Sequence, residues 1–395
     1  MVYLKKISTM MKKLLLLSLL VSAVLRAETT APDLDIECGP WIQNVSEESV
    51  TILWTTNQKA LSWVEFDTDN GNTWYQESHP AYYETVSGRR YYGTFHCVRI
   101  SGLKKGTKYR YRILGKAIAD DSNPYATSYG AEHAISSVKT VKTYDSSAPS
   151  CRFSMVNDIH FDDELYAKLL GGMERQKTDF VVLNGDIVSF SNSRDTLIKH
   201  TFTPIADIAA SYPIVFARGN HEGRGCEWFE LIKAFPSNTG EFYYSFRQGP
   251  VAFLVLDGGE DKPDSDPEYS GQADYEQYRI RQLEWLKKAV TEPEFVSAPK
   301  KVCIMHIPAI ADKDAWATQL WIKENFTPVL NAAGVDLMLS AHYHSYILAQ
   351  PKEYGNDFPI LVNSSHERLD FEATASKISV KIHTEDGKMT RELSF

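Results

Sequence analysis

Ile214-Val215-Phe216-Ala217-Arg218-Gly219-Asn220-His221-Glu222 runs from four apolar residues straight into a polar turn. Four to six consecutive apolar residues read as a short strand buried on both faces. The turn behind it offers an amide oxygen, an imidazole and a carboxylate, groups that bind hard or borderline divalent metals. The same layout recurs four more times. Phe153 to Val156 leads to Asp158-Ile159-His160, and Phe180 to Leu183 leads to Asn184-Gly185-Asp186. Val302 to Met305 leads to His306, and Val335 to Leu339 leads to Ala341-His342-Tyr343-His344. Side chains at the C-terminal ends of neighbouring strands converge on one rim of an open α/β sheet.

Taken singly these blocks are weak. A histidine closing an apolar strand is ordinarily a satisfied core residue, and Gly-Asn-His is an ordinary turn. The ordered set of five carries the weight. It holds enough ligands for two metal ions, and two adjacent ions point to phosphate-ester chemistry.

Between the strands, helices are expected at 163–175, 194–209, 227–235, 272–291 and 314–333. Tyr243 to Phe246 and Val251 to Leu256, joined across Gly249-Pro250, read as a hairpin, and residues 360–395 as further strands. Residues 151–395 are therefore one α/β domain. Residues 34–143 are all-β: Val50-Thr51-Ile52-Leu53-Trp54 alternates, and Asp69-Asn70-Gly71-Asn72 is a turn. Residues 144–150 read as a linker. Trp63, Trp74, Tyr75, Tyr82 and Tyr83 are expected as exposed aromatics of the β domain.

Lys12 and Lys13 precede an apolar run from Leu14 to Leu25, with Ala27 offering a cleavage site. Residues 1–27 thus read as a signal peptide, too short for a transmembrane anchor, and the protein as exported to the periplasm, cell surface or medium. Losing that segment removes Lys5, Lys6, Lys12, Lys13, Arg26 and no acid, which takes the net charge from -9 to -14. So acidic a chain has no use for nucleic acid as a bulk partner. Five cysteines form no disulfide framework; Cys38 with Cys97 is one conceivable bridge.

Asp-x-His, Gly-Asp, Gly-Asn-His-Glu, His and His-x-His, in that order, resemble the calcineurin-like metallophosphoesterases. Trp54 followed by Gly102-Leu103-Lys104-Lys105-Gly106-Thr107-Lys108-Tyr109-Arg110-Tyr111 is similar to fibronectin type III sandwiches. Together they resemble the layout of purple acid phosphatases. The resemblance implies an N-terminal all-β sandwich before an α/β domain whose central β-sandwich is flanked by helices in four layers, α/β/β/α. It implies Asp158, His160 and His344 on a first metal, Asn220, His306 and His342 on a second, and Asp186 bridging both. Manganese, zinc or iron suit imidazole and carboxylate ligands. The implied nucleophile is a bridging hydroxide, and His221 is the implied acid for the leaving oxygen, with Asp162 or Glu222 as its carboxylate partner. The expected substrate is a small phosphate monoester; a phosphodiesterase or nucleotidase is the alternative within the class. A glycan- or protein-binding module with a vestigial metal site is the alternative outside it. Ser189 stands where purple acid phosphatases carry the tyrosine that gives the colour, so a coloured ferric site is not expected. Arg224 is a candidate phosphate clamp or an exposed arginine. The acidic loop Asp257 to Asp274 either shapes the pocket or is solvated.

Overall fold

A twenty-residue strand organises the N-terminal part of the computed structural model, which describes residues 33–395. The segment read as a signal peptide lies outside the described residues. This strand, β2 (Ser49–Thr68), pairs in its first half with β1 (Ile36–Gln43) and β3 (Gly93–Ser101). Its second half pairs with β4 (Lys108–Asp120), which in turn carries β5 (Lys139–Lys142). The β2–β3 register breaks between Thr55 and Ala60, a bulge that lets one strand serve two sets of partners. Trp54 is fully buried, and the phenol of Tyr109 accepts the backbone N–H of Lys104 at 2.8 Å. The expected aromatic surface is largely covered: Trp63 and Trp74 are buried, with Tyr83 stacked on the first and His79 on the second, and Tyr82 and Tyr83 are half-buried. Only Tyr75 of that group is well exposed. Cys38 and Cys97 do not bond. They sit on opposite flanks of β2, opposite Thr55 and Leu53, and all five cysteines are free thiols.

The remainder contains two six-stranded sheets. The first holds β6 (Ser150–Val156), β7 (Phe180–Asn184) and β8 (Ile214–Ala217), all parallel, with an antiparallel C-terminal meander on the far side of β6. That meander is β15 (Glu367–Thr374), β16 (Ile378–Thr384) and β17 (Met389–Ser394). The second sheet runs β9 (Tyr244–Gln248), β10 (Val251–Leu256), β11 (Lys300–Met305), β12 (Leu337–Ser340), β14 (Ile360–Val362) and β13 (Ile347–Ala349), parallel from β10 to β14.

The sheets face each other across a phenylalanine core. Phe153 of β6 stacks on Phe180 of β7 at 5.0 Å and on Phe371 of β15 at 4.5 Å, and meets Phe253 of β10 at 5.8 Å. Truncating one such ring to alanine costs about 3–5 kcal/mol. Helices cover both outer faces, giving four layers. Leu165, Leu169 and Leu170 of α1 (Asp163–Gly171) and Leu197, Ile198 and Phe202 of α2 (Arg194–Phe202) pack on the first sheet. Leu286 of α3 (Tyr275–Ala289) and Ile322, Phe326 and Leu330 of α4 (Ala317–Ala333) pack on the second. The expected helix at 227–235 is only a 3-10 turn, Trp228–Glu230, followed by the single turn Leu231–Ala234.

The two parts are fastened together. The indole of Trp41 donates to the carbonyl of Ala234 at 2.9 Å and stacks on Phe202, and the Tyr111 hydroxyl donates to the carbonyl of Ala210 at 2.6 Å. No helix among the described residues is long and apolar enough to cross a membrane.

Candidate metal centre

Five strand ends, on β6, β7, β8, β11 and β12, deliver the polar blocks to one rim. Their loops bond to one another before any side chain matters. Asp158 N–H donates to the carbonyl of Gly185, His160 N–H to that of Asp186, and Ala341 N–H to that of His306. The turns are sharp. Asp158, His160, Asp186, His342 and His344 all take positive φ, between 49° and 76°. That conformation is costly for non-glycine residues, and such strain gathers where a fold must aim side chains.

The aim is inward. Nitrogen and oxygen atoms of Asp158, His160 and His344 lie within 4.8 Å of one another; so do those of Asp186, His306 and His342, and those of His160, Asp186 and His221. Asp158 Oδ1 is 3.4 Å from His344 Nε2 and 3.9 Å from His306 Nε2. Asp186 Oδ2 is 3.2 Å from His306 Nε2 and 3.8 Å from His160 Nε2. Asn220 joins through Oδ1, which accepts from His342 Nδ1 at 3.1 Å.

The far sides of these groups are tied back. His306 donates from Nδ1 to the carbonyl of Asn184 at 2.7 Å, which turns Nε2 toward the centre. His160 Nδ1 rests on the Ser189 hydroxyl at 3.2 Å, freeing Nε2. Asp158 Oδ2 accepts from Asn157 Nδ2 and from His342 N–H. Three buried atoms in the middle, Asp158 Oδ1, His160 Nε2 and His306 Nε2, have no hydrogen-bond partner among the described residues. Buried polar atoms without partners are costly, so their convergence fits a cation.

Electrostatics agree. Burial works to raise the Asp186 carboxyl, yet the imidazolium of His306 outweighs it and holds the acid below its ordinary range. Burial would lower His306, but Asp186 and Asp158 pull it up to about 10. Burial and then the charge on His306 push His342 down to about 3. Two buried carboxylates demand positive charge, and divalent ions meet the same demand.

Glu222 does not reach His221. Its carboxylate is buried and accepts four backbone amides: Asp186 at 2.9 Å, Gly219 at 3.0 Å, Ile187 at 2.7 Å and Val188 at 3.4 Å. Asp162 caps α1 through the N–H of Leu165. The expectation that one of them partners His221 is therefore corrected: both are occupied by backbone donors. His221 instead donates from Nδ1 to the Ser189 carbonyl at 3.0 Å, and its Nε2 faces Arg224 Nη1 at 3.2 Å. Arg224 is half-buried and forked on Glu260, through Nε at 2.8 Å and Nη2 at 2.9 Å, so it is not a free surface arginine. Glu260 belongs to the acidic loop, whose first residues, Asp257 to Asp261, are buried rather than solvated. Sequence reasoning missed Glu260 and the true task of Glu222; the only signal for the former was the position of that loop after a strand.

Residues 151–346 match the family described as calcineurin-like phosphoesterase, and residues 40–143 match the purple acid phosphatase N-terminal domain. Purple acid phosphatase 15 of Arabidopsis thaliana is 26% identical over 64% of this chain and 49% of its own length. The serine/threonine-protein phosphatase CPPED1 of Mus musculus is 24% identical over 42% of this chain and 54% of its own. The chain thus spans about half the length of the curated relatives it matches. Among solved structures, TT1561 of Thermus thermophilus aligns over 62% of this chain and 98% of its own, at 14% identity and a TM-score of 0.35.

Proposed function

We propose, for a chain that carries a calcineurin-like phosphoesterase domain behind a purple acid phosphatase N-terminal domain, that it hydrolyses phosphate monoesters at a centre for two divalent ions. The observation that carries this reading is the convergence of three buried atoms with no hydrogen-bond partner among the described residues, Asp158 Oδ1, His160 Nε2 and His306 Nε2. Asp158, His160 and His344 would hold one ion, Asn220, His306 and His342 the other, and Asp186 would touch both. Such ions, when bound, neutralise phosphate oxygens and make water nucleophilic at neutral pH.

The protein's own groups supply the rest. His221 lies on the rim beside His160, with ring centroids 4.7 Å apart. Its Nδ1 proton is held by the Ser189 carbonyl, so Nε2 is the atom that serves the leaving oxygen. Arg224 has two nitrogens fixed on Glu260, and Nη1 remains to exchange His221 for a phosphate oxygen. Ser189 occupies the room beside His160 with a hydroxyl, and we read the centre as colourless manganese, zinc or ferrous iron.

We read the N-terminal domain as a fibronectin type III-like sandwich, and the protein as exported, on Lys12-Lys13 followed by the apolar run Leu14 to Leu25. A binding module with a vestigial site is disfavoured, since a decayed centre loses ligands, whereas Asp158, His160, Asp186, His306, His342 and His344 all lie in groups that could hold an ion and Asn220 lies against His342. The test is hydrolysis of an aryl phosphate, removal of activity by chelator and its return with manganese or zinc. Metal-replete protein inert on monoesters and diesters alike overturns the reading.

A further inference from the structure

Beyond Arg224 the rim opens into a cavity of about 630 Å³. Arg224 belongs both to its wall and to the contact with His221 Nε2, so the cavity begins one side chain from the group placed at the leaving oxygen. Aromatic rings, Trp228, Phe242, Tyr269, Tyr275 and Tyr278, stand in its wall among charged and small polar residues. Trp228 remains 44% exposed although it stands in a wall. The cations of the wall are matched. Arg224 is forked on Glu260, Arg218 is 2.7 Å from Asp257, and Arg281 is 3.8 Å from Asp274.

We propose that this cavity receives the alcohol part of the ester and selects alcohols bearing a flat ring. This rests on the phosphoesterase reading above. A small alkyl alcohol has no use for such a space, whereas a planar π-system gains from each aromatic face it meets. Glu241, Glu260, Glu268 and Asp274 stand in the same wall, so a second phosphate on the alcohol meets like charge there. The favoured substrates are monophosphates, not di- or triphosphates. A nucleobase and a simple aryl group share the flat ring, and the test separates them.

Kinetics on AMP, benzyl phosphate and ethyl phosphate, all esters of primary alcohols, compare the metal-replete full chain with Trp228→Ala and Phe229→Ala. Phe229 sits on the same exposed turn and is not part of the cavity wall. At least one ring ester should exceed ethyl phosphate in kcat/KM by about tenfold, and that margin should collapse in Trp228→Ala alone. A margin with AMP only assigns the cavity to a nucleobase; one with benzyl phosphate only assigns it to an aryl group. An unchanged margin in Trp228→Ala overturns the proposal, and so does an equal collapse in Phe229→Ala. Calorimetric titration of adenosine and of benzyl alcohol into the same proteins needs no turnover. If no ester is cleaved, the phosphoesterase reading fails. Saturable binding lost in Trp228→Ala then still upholds the cavity, and absence of binding by both alcohols overturns it.

Discussion

The carboxylate of Glu222 accepts the backbone N–H of Asp186 at 2.9 Å, and the two residues come from strand ends 36 positions apart. The same carboxylate takes the amides of Gly219, Ile187 and Val188. One buried side chain thereby holds the loop that presents Asp186 to the loop that presents Asn220 and His221. Glutamine has a single acceptor oxygen, and its amide would face N–H groups. Glu222→Gln should therefore lose roughly 2–4 kcal/mol of stability. It should also weaken metal affinity about 10–100-fold, as loss of a positioning partner does. Denaturant melts and metal titration check both; a variant with wild-type metal affinity would make Glu222 a packing residue only.

Gly219 is required by closeness. A Cβ there would lie 2.1 Å from Asp186 Oδ1 and 2.8 Å from Glu222 Oε2. Gly219→Ala must push Asp186 off its position, and the protein should purify with well under two metals per chain. Full metal content by elemental analysis would show that the loop yields instead.

Asp186 stands between the two ligand groups, 3.2 Å from His306 Nε2 and 3.8 Å from His160 Nε2. Asp186→Asn keeps the shape and removes the charge that would offset two cations. Activity on an aryl phosphate should fall by on the order of a hundredfold or more. Loss below tenfold would remove Asp186 from the centre of the reading.

His344 is the open edge. Its side chain is 52% exposed, while those of His306 and Asp158 are fully buried. Graded chelation should strip the Asp158–His160–His344 site first, and His344→Ala should purify with about one metal fewer than wild type. Equal loss of both ions from the wild-type protein at every chelator concentration would contradict this order.

His96, in the β domain, reports on stability rather than chemistry. It is buried, stacked on Trp54 at 5.1 Å, with Nε2 3.1 Å from the Thr56 hydroxyl. Burial pushes it down to about 4 from the ordinary 6.5. The unfolded chain then binds more protons than the folded one between these values. Stability is full above pH 6.5 and falls as pH drops toward 4, by up to about 3 kcal/mol. His96→Gln should flatten that part of the acid limb; an unchanged limb in denaturant melts would acquit His96.

Much of the architecture was readable because strands buried on both faces leave continuous apolar runs, as at Val251 to Leu256 and Ile214 to Ala217. The expected helix at 227–235 failed because Trp228 and Phe229 look like an apolar helical face. In the fold they are exposed at 44% and 48% on a short turn. Likewise Trp63 and Trp74 were expected on the surface, yet both are buried, with Tyr83 stacked on the first and the nearby His79 on the second.

The sequence by itself determined which kinds of groups stand at the strand ends, since residue type and its place after an apolar run are local facts. Only the tertiary structure decided what each polar neighbour does. Glu222 turns inward to four amides and Arg224 is pinned by Glu260. Asp158, His160, Asp186, His342 and His344 accept a strained backbone so that their side chains meet. Hydrogen bonds and ion pairs between segments far apart in sequence set those choices, and no local pattern encodes them.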